Sequence, residues 1–351
     1  MCLAMMANRE RRFPALRTNT PTYNGAIELD SRTLLSKLMG INHSGALAQS
    51  ITRNSSKQTY YTARMMVDRD KVDDFFRAYA YFRWADDVVD IHARSEEERI
   101  SFIERQRVII EGLYHHEEFS DLTPEEQMVG VLIRNNRQEG SGLQSFIRNM
   151  LAIIEFDAYR RGRLISHEEL VWYTNRLGRS VTDGILHFVG NGHLYSPSES
   201  RYLAATAAHI THLLRDMVRD TADGFINIPS EYLERYDIRP DDVDSTPYRT
   251  WVRERVQHTR KYFVEGKIYL DELEVLRAKI VGHWYCARFE AVLDTIERDE
   301  YLLRDTYDER QRISTWLKIG WLGIYVTFSH FARRLTLPLE ALWARWVAPR
   351  T

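Results

Sequence analysis

Two pairs of aspartates, each with a four-residue spacing, are the residues of this sequence best suited to chemistry. Asp86 and Asp90 lie in the segment YFRWADDVVD, and Asp216 and Asp220 lie in HLLRDMVRD. On a helix, residues four apart project from one face about 6 Å apart, so two bare carboxylates at this spacing repel each other. Hard oxygen ligands of this kind suit Mg²⁺, which also bridges to phosphate groups. The two pairs could therefore face each other across a helical bundle and hold magnesium.

Arginines lie beside both pairs, namely Arg83, Arg215 and Arg219. Guanidinium groups match the oxygens of a diphosphate in geometry and charge. The alternative is a set of ordinary surface ion pairs, since Arg83 can reach Asp86 or Asp87 along its own helix. Two motifs in apolar surroundings, each with an adjacent arginine, favour the phosphate-binding interpretation.

Two histidines share a helical stripe with the second aspartate pair. His209, His212 and Asp216 are spaced by three and four residues, which a transition-metal site could use. A di-iron bundle would need Glu-x-x-His pairs on two helices, and the sequence contains none. We therefore interpret the histidines first as pocket-lining or core residues.

The elements that must position these residues are helices. From about residue 55 to 335, apolar residues recur every three or four positions, no β-α-β alternation occurs, and only 9 prolines and 17 glycines interrupt 351 residues. Residues 1–50 mix turn-forming residues and predict a loosely ordered arm. We expect residues 51–351 to form one all-α domain, with breaks near Gly142, Pro229 and Pro247.

Composition excludes several classes of protein. The net charge of -2 and the pI near 6.7 give no basic field for nucleic acid. The two cysteines, Cys2 and Cys286, cannot build a disulfide framework or a cysteine zinc site, so a reducing cytoplasm is the default expectation. The apolar run from Ile319 to Phe331 is too short to span a bilayer. It predicts a buried terminal helix, and contact with a membrane surface is left open.

From about Ser56 to Arg310 the sequence resembles the squalene/phytoene synthase family of isoprenoid enzymes. The segments SKQTYY, YAYFRWADDVVD, LLRDMVRDTADGFINIP and FEAVLDTIERDEY, together with Tyr173, are similar to the family's motifs in order and spacing. The last of these segments, FEAVLDTIERDEY, is similar to the corresponding motif of the phytoene synthase branch of the family.

The resemblance implies an all-α isoprenoid synthase fold, a helical bundle around a deep apolar cavity. It implies a prenyltransferase that ionises allylic prenyl diphosphates with Mg²⁺, or Mn²⁺, and couples two of them head to head. Farnesyl or geranylgeranyl diphosphate is the expected substrate, and the departing diphosphate could act as the base. A monomer or a homodimer is expected.

The resemblance also assigns roles by position. Tyr173, Arg83 and Arg215 are the implied catalytic residues. The implied metal ligands are Asp86, Asp87, Asp90, Asp216 and Asp220. The implied substrate-binding residues are Ser56, Lys57, Tyr60, Arg83, Tyr173, Arg179, His212 and Arg215.

The central segment departs from the family pattern. After Tyr173 the family has Ala-Gly-x-Val-Gly, and the two glycines fall here at Arg179 and Thr182. His209 and His212 stand where the family often has Gln and Asn. These changes leave a second reading open, a terpene cyclase that acts on one prenyl diphosphate, and a third, a non-catalytic helical partner protein. NADPH use is left open, with a leaning against it; no nucleotide-binding signature is visible, but members of the family that use NADPH lack one too.

Overall fold

The computed structural model describes residues 44–93, 95–193, 198–307 and 320–332. Of the predicted arm, residues 1–43 lie outside these ranges, and residues 44–50 belong to a helix, α1, that covers 44–55. The predicted boundary at residue 50 therefore falls inside a helix.

The described residues are helical apart from connecting turns and one isolated β-bridge, between Ile165 and Pro229. The prediction of an all-α chain is confirmed for them. The chain divides into two compact units. The first unit contains residues 1–159 and 183–188, and the second contains residues 160–182 and 189–351. That the two form one domain stays a prediction.

The first unit owes its helices to conventional start signals. Ser56, Ser95 and Thr123 each cap a helix with the side-chain oxygen, which accepts from a backbone N–H of the first turn. At Thr123 the cap is a reciprocal capping box with Glu126. The helices are α1, then α2 Lys57–Met66, α3 Val72–Asp87, α4 Glu96–Tyr114, α5 Pro124–Asn135 and α6 Gly142–Arg160, whose last residue belongs to the second unit.

The core of the first unit is built mainly on α3, whose aromatic side chains are buried on nearly every side. Phe82 packs edge-on against Phe146 with ring centroids 5.2 Å apart, and Phe75 packs against Phe188 at 5.5 Å. Such pairs stabilise by about 0.5–1.5 kcal/mol beyond the area that they bury. This packing fixes the helix that carries the first aspartates.

Two helices of the second unit begin where the sequence predicts breaks. One starts directly after Pro229, and another starts with Pro247 in its first turn and Ser245 as its cap. The helices are α7 His167–Val189, which contributes residues 183–188 to the first unit, α8 Leu203–Ala222, α9 Ser230–Tyr236, α10 Thr246–Glu272, α11 Leu276–Arg298 and α12, residues 320–332.

Two glycines bring helices close to α8. A Cβ atom on Gly266 of α10 would lie 2.3 Å from the backbone nitrogen of Ala204. A Cβ atom on Gly178 of α7 would lie 2.1 Å from the hydroxyl of Thr206. Neither position accepts a side chain, so helix α8, which carries the second aspartate pair, is held by close backbone packing on two sides.

The last described helix corrects one expectation. A buried terminal helix was predicted, but the side chains of Trp321 and Phe328 are 71% and 74% exposed. Only one face of α12 packs inward, where Gly323 lies against Trp284. Contact of this helix with a membrane surface stays a prediction. Among the described helices, none has the length and apolar character needed to cross a bilayer.

Candidate active site

The first aspartate segment is not one continuous α-helix, as the spacing argument assumed. Helix α3 ends at Asp87, and a π-helical turn follows over Val88–His92. The amide of Ala93 donates to the carbonyl of Val88, five residues back, at 2.9 Å. Because the turn is wider, Asp90 does not continue the α-helical face of Asp86. Short π-helical turns occur frequently at functional sites.

Arg83 is held by the two aspartates that follow it. Its guanidinium donates to both carboxylate oxygens of Asp87, at 3.1 and 2.5 Å, and lies 3.7 Å from Asp86. The Arg83 side chain is only 5% exposed. Burial alone would lower the pKa of Arg83, but the charges of Asp86 and Asp87 outweigh burial and raise it. The ion pairs that the sequence analysis named as an alternative therefore exist in the structure.

The carboxylates of this segment differ in accessibility. Asp87 is buried against Arg83, while the side chain of Asp86 is 33% exposed and Asp90 is also partly exposed. The more exposed oxygens can accept an incoming cation, whereas Asp87 is already engaged. Asp87 therefore fixes the guanidinium group of Arg83.

The segment at the start of α2 has a structural role in part. Ser56 is buried and caps α2 by accepting from the amide of Thr59 at 3.3 Å, while Lys57 is exposed. Tyr60 stacks on Phe76 and accepts a hydrogen bond from Arg64 at 3.0 Å. Within the described residues, none of Ser56, Lys57 and Tyr60 hydrogen-bonds with the Arg83–Asp87 pair.

Asp216 is the most strongly paired carboxylate of the second unit. It is 5% exposed and accepts two hydrogen bonds from Arg215, at 2.8 and 2.6 Å. Arg219 donates to it at 2.7 Å, and His212 lies 3.0 Å away. Burial raises the pKa of Asp216, but the neighbouring His212 and Arg215 overcome burial and hold the pKa far below its usual range. Three basic side chains therefore converge on one buried carboxylate.

Asp220 lies at one end of a hydrogen-bonded chain that the sequence analysis missed. Asn227, 1% exposed, donates to Asp220 at 3.1 Å, and its amide oxygen accepts from Arg160 at 2.7 Å. The Arg160 guanidinium then lies over the ring of Tyr173, 4.6 Å from the ring centroid, and 5.4 Å from that of Phe225. The implied metal ligand and the implied catalytic tyrosine are thus connected through two further residues.

The sequence alone gave little indication that Arg160 and Asn227 belong to this site. They are 67 positions apart, and neither belongs to a repeated spacing. The available hint was Arg160 itself, a charged residue that ends the apolar face of helix α6 and is nevertheless only 3% exposed. A buried arginine needs polar partners, and one of those of Arg160, Asn227, lies far away along the chain.

Arg179, the main departure from the family pattern, forms an ion pair near the surface. It donates to Glu199 at 2.6 Å, and its guanidinium lies 4.5 Å from the ring centroid of Tyr202. The side chains of Arg179 and Glu199 are 42% and 78% exposed. The structure therefore gives Arg179 contacts at the protein surface, and its predicted role in substrate binding stays a prediction.

The two histidines differ in environment. His209 is fully buried, with its Nε2 atom 3.4 Å from the hydroxyl of Tyr285, and burial holds its pKa well below the usual value. His209 is thus a neutral core residue, as the sequence analysis expects. His212 instead contacts Asp216 and packs edge-on against Phe289 at 6.4 Å.

The carboxylates of the two segments are the candidate ligands for magnesium. Within residues 44–93, 95–193, 198–307 and 320–332, no group of three or more His, Cys, Asp or Glu side chains is arranged so that it could hold a metal ion. Each unit contains one aspartate pair, and each pair offers hard carboxylate oxygens beside arginine. Carboxylate oxygens are the ligands that Mg²⁺ prefers, so the chemistry of the residues fits the ion.

Comparison with known proteins gives consistent matches. The sequence profile of the squalene/phytoene synthase family matches residues 52–316. A 15-cis-phytoene synthase of Synechocystis is 24% identical over 300 residues, covering 80% of this chain and 85% of that protein. A phytoene synthase of Arthrospira platensis is 24% identical over 301 residues, covering 79% of this chain and 91% of that protein.

Solved structures show the same fold. A squalene synthase from Alicyclobacillus acidocaldarius superposes with a TM-score of 0.60 at 19% identity, covering 76% of this chain and 97% of that one. A dehydrosqualene synthase superposes with a TM-score of 0.56 at 14% identity, covering 82% and 97%. The predicted isoprenoid synthase fold and the resemblance read from the motifs are both confirmed.

Proposed function

Because the chain belongs to the squalene/phytoene synthase family, a family of prenyltransferases, we propose that it couples two prenyl diphosphates head to head with the help of magnesium ions. The observation that supports this most directly is the pair of buried arginine–aspartate clusters. Arg83 with Asp87, and Arg215 with Asp216, lie in the two segments that match the family's aspartate motifs. Farnesyl and geranylgeranyl diphosphate are the proposed substrates.

Loss of diphosphate separates an anion from a carbocation, and each needs its own stabilisation. Magnesium, when bound by the carboxylates of Asp86, Asp90, Asp216 and Asp220, supplies positive charge to the diphosphate oxygens. Arginine side chains fixed in advance stabilise the same charge without reorganising during the reaction. Arg83 is fixed in this way by Asp87.

At Asp216 the paired arginines offer a second source of positive charge. Arg215 and Arg219 both donate to this carboxylate. If Asp216 held a metal ion, its oxygens would no longer accept hydrogen bonds from the two guanidinium groups. They are then available to the diphosphate, whose oxygens accept bidentate hydrogen bonds from arginine.

The carbocation must be protected from water and from misplaced bases. Tyr173 is 6% exposed, and the guanidinium of Arg160 lies against its ring. This contact helps to hold the Tyr173 side chain in place, and its hydroxyl would lie near the reacting carbons of the substrate. The departing diphosphate serves as the base that removes the final proton.

The alternatives named from the sequence are less well supported. A single-substrate cyclase was suggested by Arg179, and that side chain pairs with Glu199 near the surface. The curated relatives are phytoene synthases, which favour neither a cyclase nor a non-catalytic partner protein.

The test is incubation of the purified chain with Mg²⁺ and geranyl, farnesyl or geranylgeranyl diphosphate, with and without NADPH. Diphosphate release and extracted hydrocarbons are measured together by mass spectrometry. A product with the carbon count of two substrates is expected. A cyclic product with the carbon count of one substrate would replace the proposal by the cyclase reading.

A matched pair of variants ties turnover to the proposed site. Asp216→Asn removes one buried carboxylate charge and is expected to lower kcat by about 100-fold or more, the range seen when a charge-stabilising group is lost. Asp241→Asn makes the same chemical change at a side chain that is 64% exposed in a loop, and it should leave kcat unchanged. Equal effects of the two variants would contradict the assignment of Asp216.

A further inference from the structure

The second unit contains a cavity of about 690 Å³ that the proposed reaction does not use. Its walls come from the first turns of α7, from α9 and from the middle of α10. The volume lies within the range of pockets that hold small organic ligands, about 300–1,000 Å³.

Among the lining residues that are not exposed, three have hydrogen-bond donors that donate to no described residue. They are the guanidinium of Arg255, the indole N–H of Trp251 and the hydroxyl of Tyr262. Arg255 is partly buried, and burial lowers its pKa to about 10, so it stays charged at neutral pH. Desolvated arginines are ordinarily paired with an anion. Within the described part of the chain, no carboxylate forms an ion pair with Arg255.

The acidic side chains of the cavity do not fill this role. Glu231 caps helix α7, since its carboxylate accepts from the amide of His167 at 3.2 and 3.1 Å, and it also accepts from Ser230. Its charge is therefore used at a helix N-terminus, where it is stabilising. Glu254 is exposed at the rim, where solvent and salt screen it.

The other lining residues are partly apolar and aromatic, and partly the exposed basic side chains of His167, Arg235 and His258. Leu170 and Pro229 contribute aliphatic surface, and Tyr232 packs against Trp251 with ring centroids 6.4 Å apart. The Tyr232 hydroxyl is engaged with the carbonyl of Pro247 at 2.9 Å. Tyr232 therefore contributes its apolar ring to the cavity wall, while its hydroxyl donates to Pro247.

We propose that this cavity binds an amphiphilic oxyanion, in which a phosphate or carboxylate head pairs with Arg255 and an apolar body packs on Trp251 and Tyr232. The planar guanidinium of arginine donates bidentate hydrogen bonds to both kinds of head. The indole N–H of Trp251 and the hydroxyl of Tyr262 supply further donors to the same head. The site does not depend on the aspartate clusters or on the proposed coupling reaction.

Binding is measured by isothermal titration calorimetry on the full chain in EDTA, which removes metal-dependent binding of diphosphates. The probes are farnesyl monophosphate, dodecanoate, inorganic phosphate and farnesol. Farnesyl monophosphate or dodecanoate is expected to bind with a Kd of about 100 μM or tighter, and the two fragments, inorganic phosphate and farnesol, at least about tenfold more weakly. The tighter of the two amphiphiles identifies the natural head group.

Variants of α10 locate the site. Arg255→Gln is expected to raise the Kd by about tenfold or more, the loss of one bidentate charged contact, while Arg255→Lys restores part of the affinity. Arg253→Gln is the matched control, since Arg253 is exposed, lies over Tyr301 and does not line the cavity. Circular dichroism of each variant verifies that it folds.

Three results would overturn the proposal: no binding of either amphiphile, an unchanged Kd in Arg255→Gln, or farnesol binding as tightly as farnesyl monophosphate. A loss of binding in Asp216→Asn under the same metal-free conditions would assign the affinity to the aspartate cluster instead. Failure of the chain to form a coupled product leaves the result in EDTA unaffected, so the two proposals fail separately.

Discussion

Replacement of Arg160 by methionine tests the connection between the second aspartate pair and Tyr173. Methionine keeps most of the side-chain length and its apolar stem but removes the guanidinium. The variant therefore loses the contact over the ring of Tyr173 and the hydrogen bond to Asn227 at 2.7 Å. The longer contact of the guanidinium with the ring of Phe225, at 5.4 Å from the centroid, is lost as well.

The expected loss of stability is worked from the contact with the Tyr173 ring and the hydrogen bond to Asn227. A desolvated cation–π contact contributes about 1–2 kcal/mol. A hydrogen bond from a charged donor contributes about 1.5–3 kcal/mol. Because Asn227 is 1% exposed, its amide oxygen stays without a donor in the variant. We expect the free energy of unfolding to fall by about 3 kcal/mol after allowance for the retained stem.

Urea denaturation followed by far-ultraviolet circular dichroism measures this change, and a double-mutant cycle with Asn227→Ala isolates the pairwise part. The coupling free energy between Arg160 and Asn227 should be about 1–3 kcal/mol, as for residues in one hydrogen-bonded network. Arg163→Met is the control, because Arg163 pairs with Glu169 at the surface and both are substantially exposed. A coupling below about 0.5 kcal/mol would refute the network, since unconnected sites are additive within that limit.

Three further changes test other parts of the structure. Glu126 is 1% exposed and accepts two hydrogen bonds from Arg105, so Glu126→Gln should lower the urea unfolding free energy by about 2 kcal/mol, and a loss under about 0.5 kcal/mol would contradict this. Burial lowers the pKa of His187 to about 4, so the unfolded chain takes up a proton first as the pH falls and stability is lost below pH 6.5. His187→Gln should reduce the stability difference between pH 7 and pH 5 by about 2 kcal/mol, and an unchanged difference would place the acid sensitivity elsewhere. Because Arg179 pairs with Glu199 near the surface, Arg179→Ala should leave the product of the enzyme unchanged, as measured by mass spectrometry. An altered product would show that Arg179 shapes the substrate-binding region.

The helical class was predictable because its signals are local. Apolar residues recur every three or four positions, and few glycines or prolines interrupt them. Capping residues such as Thr123 and Ser245 lie next to the helices that they start. The turn over Val88–His92 was not predictable in the same way. The four-residue spacing of Asp86 and Asp90 is compatible with an α-helix, and the residues show no glycine or proline that would signal a wider turn.

Arg160 and Asn227 show a second limit. Each residue alone has an ordinary interpretation, a basic helix end and a polar loop residue. Their pairing depends on the turn that follows α8, where the amide of Phe225 donates to the carbonyl of Asp220 at 2.7 Å. That turn brings Asn227 back toward Asp220. Long-range pairs of this kind follow from the fold, and a single sequence does not contain them.

The contacts of Asp216 separate what helix geometry predicts from what it does not. His212 and Arg219 precede and follow Asp216 by four and three residues, so they share its face, and both contacts are present. Arg215 is the adjacent residue, and adjacent residues do not face each other on a helix. Its buried side chain nevertheless donates both Nε and Nη2 to Asp216, because its long, flexible stem can curl back around the helix. The sequence thus predicted which helix face carries Asp216. It did not predict that the Arg215 side chain turns toward Asp216, because that depends on burial in the folded protein.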